Sequence, residues 1–322
     1  MRADRERGAA LLTVLMLVAV IAVMAGAGLE KLRLSTRLAG NAAATEQARA
    51  YAVAAEAMAA VKIGGLLSAS RQRVTLAGDW SGRPFGLPLP GGGLATARVT
   101  DGGNCFNLNG LVTQVAPGVY ASYPTQRVQF VRLMRLIGVP AQIAEQVASG
   151  ASDWIDSDGD QQGNGAEDGA YTGQQVGYRT SGTLMADPSE LRAIAGMTPD
   201  IYTQLKPWVC TLPIPRPSTI NVNTLLPEQA ALLAMMAPDT LSVDGARQLL
   251  LRRPVQGWAN PAQIWQGVAQ PPDAVSQTSS STSWFDLAID VDIPGAQLEE
   301  RALIDATALP VRLVARQWGE DT

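Results

Sequence analysis

The stretch Arg5–Lys31, RERGAALLTVLMLVAVIAVMAGAGLEK, decides how the rest of the chain is organised. From Ala9 to Leu29 it holds 21 residues without a formal charge. At about 1.5 Å per residue a helix of that length spans about 30 Å, the thickness of a bilayer's hydrocarbon core. A short basic leader, MRADRERG, precedes the run, and Glu30 and Lys31 follow it. Gly8 marks the junction between leader and apolar helix.

Three readings compete for this segment. A secretory signal peptide would be cut near Ala25-Gly26-Ala27, although the apolar run is long for a signal core. A plain N-terminal anchor would keep Met1. The third reading is a leader that resembles those of type IV prepilins, cut just after Gly8 to leave Ala9 as the new, N-methylated terminus. In pilin-like proteins the fifth residue after the cut is usually Glu, which meets the amine of a neighbouring subunit. Here it is Thr13. A lone carboxylate in lipid is costly, so a subunit with no neighbour above it has no use for one.

Outward from the membrane, helical character continues. Ala-, Leu-, Glu- and Arg-rich sequence from Leu29 to about Ile63 extends the same helix, with Gly64-Gly65 as the expected stop. A Gly/Pro-rich stretch, 78–93, follows, and then a strand-like segment over 94–100. Two helices are expected in TQRVQFVRLMRLIGV and PAQIAEQVASGASDWI, with Pro140 in the first turn of the second. Residues 157–182 read as a long loop. SELRAIAGM and TPDIYTQLKPWV read as short helices, with Ser189 as a candidate cap and Pro199 near a start. Beyond TLPIPRPS, helices from Pro227 and over 243–253 suggest a small helix-hairpin-helix or SAM-like unit. Residues 270–283 read as a linker, and SWFDLAIDVDI, LEERALIDATAL and PVRLVARQW as strands of an antiparallel sheet. The layout predicts an α+β fold.

The 322 residues carry 25 Lys and Arg against 29 Asp and Glu, a net charge of −4; without the leader's Arg2, Arg5, Arg7, Asp4 and Glu6 the sum is −5. That balance argues against a nucleic-acid partner, despite Arg247, Arg252 and Arg253 in the SAM-like unit. The chain has no histidine, which excludes Ser-His-Asp or Cys-His catalysis and His-ligated zinc. Carboxylate-only catalysis is left open by that absence, but acid/base work wants one isolated carboxyl rather than a cluster, and the chain is read as no enzyme. Cys105 and Cys210 are an even pair; in an exported chain they predict a disulfide, the alternative being two buried thiols.

The chemistry-bearing segment is DWIDSDGDQQGNGAEDGAY, 153–171. Asp156, Asp158 and Asp160 alternate, and Glu167 follows Asp156 by eleven residues. Set on an EF-hand loop these occupy places 1, 3, 5 and 12, with the Gln162 carbonyl at 7 and Asn164 at 9. Hard oxygen ligands in a Gly-rich loop suit Ca²⁺, with Asp168 serving a second ion or the outer shell. Place 6, normally Gly, is Gln161, and the flanks do not read as an EF-hand's helices. The alternative is a solvated acidic turn, for which DSDGD is good chemistry.

Taken together, the leader with its missing glutamate, CFNLNGL, the acidic loop, SELRAIAGM and INVNT, in that order, resemble the minor pseudopilin K family of type II secretion systems. The resemblance implies a pilin-like fold, a long N-terminal helix on a small antiparallel sheet, with a large helical region inserted. Its expected parts are a leader (1–8), a transmembrane helix (9–29), the rest of the helix and the start of the sheet (30–104), a helical unit with the calcium loop (105–217), a SAM-like unit (218–282) and closing strands (283–322). It implies calcium, processing by a prepilin peptidase, and an inner-membrane anchor with the bulk in the periplasm. It also implies assembly with minor pseudopilins I and J, with H nearby, at the tip of a filament of the major pseudopilin G, for export of folded proteins. The competing expectation is an anchored calcium-dependent binding protein or enzyme that joins no filament.

Overall fold

The computed structural model describes residues 2–173, 177–269 and 272–319, with side chains from Ala10 onward except at 272 and 273. A single helix, α1 (Arg2–Ser70), leads into β1 (Phe85–Pro88) and β2 (Leu94–Asp101). Then come β3 (Phe106–Asn107), β4 (Val112–Ala116), β5 (Val119–Ser122), α2 (Pro124–Leu136), α3 (Ala141–Ile155), α4 (Asp168–Thr172), α5 (Pro199–Leu205) and β6 (Val209–Cys210). After them lie β7 (Ile220–Asn221), α6 (Ala230–Ala234), α7 (Val243–Leu251), α8 (Pro272–Ser276) and β8 (Thr278–Ser279). The chain closes with β9 (Trp284–Ile293), β10 (Ala296–Asp305) and β11 (Arg312–Trp318).

The N-terminal part of α1 is long and apolar enough to cross a membrane. Its C-terminal half is amphipathic. Ala48, Ala52, Ala55, Ala59, Ile63 and Leu67 form one buried stripe at helical spacing. That stripe explains why the helix does not stop at Gly64-Gly65, as the sequence suggested, but runs on to Ser70. Two helix glycines cost roughly 2 kcal/mol. Full burial of Leu67, which lies beyond them, returns about 1.5 to 3 kcal/mol.

The stripe packs on a five-stranded antiparallel sheet of order β1-β2-β9-β10-β11. Small alanines on the helix let Phe285, Leu287, Ile289 and Val291 of β9 approach it closely. The outer strand β11 is tied to the helix by Arg316, whose guanidinium donates two hydrogen bonds to Glu56. Strand β1, inside the Gly/Pro-rich stretch, carried no readable alternation; it pairs with β2 from Phe85 to Pro88.

The sheet also shows where the helical region enters. Strands β2 and β9 are neighbours, and Asp101 lies opposite Phe285. The chain therefore leaves the sheet at the end of β2 and returns beside that point at the start of β9. Everything between is an insertion with its own hydrophobic core, which includes Phe106, Phe130, Leu133, Ala148, Leu191, Leu233 and Trp265.

Buried asparagines hold the insertion's backbone. Asn107 donates to the carbonyls of Ile214 and Arg216 and accepts from the amides of Asn109 and Leu212. Asn109 donates to the carbonyls of Met185 and Leu212 and accepts from Met185 N. Asn223 brackets Trp258, and Asn221 donates to the Val74 carbonyl beyond α1. Each amide satisfies main-chain groups that no helix or strand could pair, which is why NLN and NVNT sit where regular structure stops.

Some local expectations need correcting. The helix in SELRAIAGM is a 3₁₀ turn, Pro188–Ala193, capped by Asp187 rather than Ser189; the Asp187 side chain accepts from Ser189 N. Pro140 is the residue before the first turn of α3, not in it. The long loop contains α4, and the linker contains α8 and β8. In the segment 218–282 Arg253 donates to the carbonyls of Val222 and Leu225, and Arg247 pairs with Asp244. Two of the three arginines thus serve packing and a local ion pair.

Candidate metal centre

The acidic loop grows out of the last turn of α3. Asp153 and Asp156 stand three residues apart at the helix's C-terminal end, where Asp156 takes an extended conformation and ends the helix. Side chains three apart on a helix share a face. Both residues are buried, Asp153 at 0% and Asp156 at 1% exposure. Glu167, the residue before α4, comes back over them. One carboxylate oxygen each from Asp156, Asp158 and Glu167 lie within 4.8 Å of one another.

The hydrogen bonding around this group is incomplete. Both oxygens of Asp156, Oδ2 of Asp153 and Oε1 of Glu167 are buried with no hydrogen-bond partner among the described residues. A buried carboxylate without a donor is costly. Burial pushes the Asp156 carboxyl up to about 7, helped by the charges of Asp158, Asp153 and Glu167. Glu167 is raised to about 7, by burial first and then by Asp153 and Asp158. Asp153 reaches about 6, because burial outweighs the amides of Gln162 and Ala166 that donate to it. This donor set, hard oxygens short of positive partners, fits a divalent cation such as Ca²⁺.

The remaining candidates are placed differently. Asp160 is exposed and is not among the carboxylates that converge. Asp168 accepts two hydrogen bonds from Thr180, from its amide and its hydroxyl, and lies 3.8 Å from Arg179. The Thr180 bonds hold its carboxyl below the usual range. Gln162 works through its backbone, donating its amide to Asp153 and accepting Gly165 N at its carbonyl. Its side chain accepts from Arg127.

Asp153 is the residue that the loop reading passed over. Its signal was present as an i, i+3 pair with Asp156 in a helix's last turn. Two glycines shape the rest. Gly163 takes φ +53°, so the left-handed turn that a calcium hand makes at its sixth place is made two residues later. At Gly165 an added Cβ would stand 2.1 Å from Asp153 Oδ2, so only glycine lets the loop close over that carboxylate.

Cys105 and Cys210 are joined by a disulfide, with 5.8 Å between their Cα atoms. It lies beside the parallel pair β3 and β6, where Asn107 faces Cys210. Gly8 and Ala9 lie on α1.

Comparison with known proteins bears on the whole molecule. Family models described as "Type II secretion system (T2SS), protein K" match residues 104–214 and 220–282. The chain is 31% identical to type II secretion system protein K of Pectobacterium carotovorum subsp. carotovorum, over 98% of this chain and 97% of that one. It is 34% identical to the Klebsiella pneumoniae protein of the same name, with the same coverage. Its fold is similar to a chain in the crystal structure of the GspK-GspI-GspJ complex from enterotoxigenic Escherichia coli, with a TM-score of 0.74 and 30% identity. That match covers 86% of this chain and 97% of that chain. The apolar helix, the small antiparallel sheet and the helical insertion therefore belong together as one design, and the chain is a member of the type II secretion system protein K family.

Proposed function

We propose that this chain is the tip subunit of a pseudopilus. It is anchored through Ala9–Leu29 in the inner membrane and assembles in the periplasm with minor pseudopilins I and J, with H nearby, to start a filament of the major pseudopilin G. The observation that carries the reading is the insertion between adjacent strands β2 and β9, which adds a second body beside the helix and sheet. A subunit of that bulk clashes inside a tight helical fibre but fits at its end. The similar chain in the GspK-GspI-GspJ complex supports I and J as the partners. Thr13 supports the end position, because it offers no carboxylate to a subunit above.

The same reading includes processing and metal. A prepilin peptidase cuts after Gly8, and Ala9 becomes the N-methylated terminus. Ca²⁺ is held by Asp156, Asp158 and Glu167, with Asp153 beside them. The ion supplies the positive charge that these carboxylates lack, so binding energy becomes folding energy for the insertion. Its role is structural, and the reading assigns no catalysis. The test is co-purification of the full-length chain with the I and J subunits, with and without a calcium chelator. A complex that forms only with calcium supports the proposal; no association under either condition contradicts it.

A further inference from the structure

Between Asp156 and Asp158 lies Ser157, which turns the opposite way. Residues 156–158 form the bend that follows α3. The two aspartates meet Glu167, and Ser157 meets the β4–β5 hairpin. Its Oγ accepts the Tyr120 amide at 3.0 Å, and its own amide donates to the Tyr120 carbonyl at 2.9 Å. Its hydroxyl also donates to the Gly182 carbonyl, at the far end of the loop. One residue thus links the hairpin, the start of the acidic loop and Gly182 beyond α4.

Besides Ser157, the β5 side of the hairpin is held by Tyr120, which packs against the insertion's core, while its tip is free of such support. Residues 113–119 are all exposed, with Val115 at 63% and Val119 at 42%. Strands β4 and β5 form a two-stranded sheet of their own. An isolated hairpin of this kind is marginal in water. Its root is fixed separately, by Leu111 and Val112 in the core and by a 2.7 Å bond between the Ser122 and Ser152 hydroxyls.

We propose that Ser157 couples metal occupancy at Asp156 and Asp158 to the position of the β4–β5 hairpin. The proposal rests on the calcium reading above. With the ion bound, the residues on either side of Ser157 are fixed, and Ser157 holds the Tyr120 end of the hairpin in place. Without it the loop relaxes, and the exposed tip of the hairpin, 113–119, loosens beyond Tyr120. The insertion then presents Val115 and Val119 in a defined direction only in the metal-bound state.

The test is hydrogen exchange by mass spectrometry on the full-length chain in detergent micelles, with calcium and with EGTA. The wild type, Ser157→Ala and Ser157→Thr are compared. In the wild type, chelation should speed exchange in both 157–182 and 112–122, in the hairpin by about 3- to 10-fold, the loss of one or two ordinary hydrogen bonds. Ser157→Ala should exchange rapidly in the hairpin even with calcium, while the loop still responds to EGTA. Ser157→Thr, which keeps the hydroxyl, should restore the wild-type pattern. A loop that responds while the wild-type hairpin does not would overturn the coupling but leave the calcium site standing. A Ser157→Ala hairpin that behaves as wild type would also overturn it. No response in either segment would remove the calcium reading and the coupling together.

Discussion

The two halves of this molecule are held by different forces. Where α1 meets the sheet, alanines and Val, Ile and Phe side chains close an apolar interface, and its charged groups are confined to one place, where Arg316 pairs with Glu56 and lies 3.6 Å from the buried Glu300. The insertion has a core of its own, but it also encloses asparagines, a disulfide and a group of carboxylates short of partners. The first half folds by burying apolar surface. The second buries apolar surface too, but carries in addition a disulfide, main-chain ties through asparagines and clustered carboxylates. Perturbations aimed at ties and charge should therefore strike the insertion and spare the helix and sheet.

The largest effect should come from the bridge. Cys105→Ser with Cys210→Ser opens a loop whose ends are 105 residues apart in sequence. The loop-entropy model puts such a bridge at roughly 4 to 5 kcal/mol. Chemical denaturation followed by tryptophan fluorescence should show a loss of that order, confined to the insertion.

Metal comes next. Asp158→Ala with Glu167→Ala, or chelation of the wild type, should lower the insertion's melting temperature; at a hundredfold excess of calcium over Kd the difference is about 2.7 kcal/mol. Gly165→Ala should do the same without removing a ligand, because its methyl group would occupy the place of Asp153 Oδ2. Isothermal titration would show weakened calcium binding in both variants.

Acidity gives a smaller test with a definite sign. The raised carboxyls of Asp156 and Glu167, both near 7, bind protons more tightly in the folded state than in the unfolded one. In metal-free protein the contribution of these two carboxyls is fully present below about pH 4 and is lost as pH rises through about 7. Calcium affinity should rise over the same interval, because the ion needs those carboxylates ionised. Melting curves at several pH values, with and without calcium, should diverge as pH increases.

The smallest effect belongs to the other half. At Gly65 an added Cβ meets nothing within 4 Å. Gly65→Ala should stabilise α1 by about 0.5 to 1 kcal/mol and leave calcium binding unchanged.

Legibility from sequence follows the same division. Alternation and helical spacing exposed the long helix, β2, β9 and β10, because burial on one face writes itself into the pattern; β11 was read as a strand too, although it is exposed along its whole length. Helix ends were harder. Gly64-Gly65 looked like a stop because Leu67, which outweighs them, gains its burial only from the folded sheet. Of the loop's carboxylates that spacing singled out, Asp156, Asp158 and Glu167 converge, whereas Asp160 is exposed and stands apart. Asp153 was not singled out, because its part depends on where α3 ends, and Asp168 turned to Thr180, a partner twelve residues away. The roles of Asn107, Asn109, Asn221 and Asn223 were hidden for the same reason, since each bonds main chain distant in sequence.

Scanning calorimetry of the full-length chain in detergent, with calcium and after EGTA, tests the division most directly. The predicted result is two transitions, of which only the one belonging to the insertion moves to lower temperature on chelation. Curves that coincide with and without calcium, or a single transition that shifts as a whole, would contradict it.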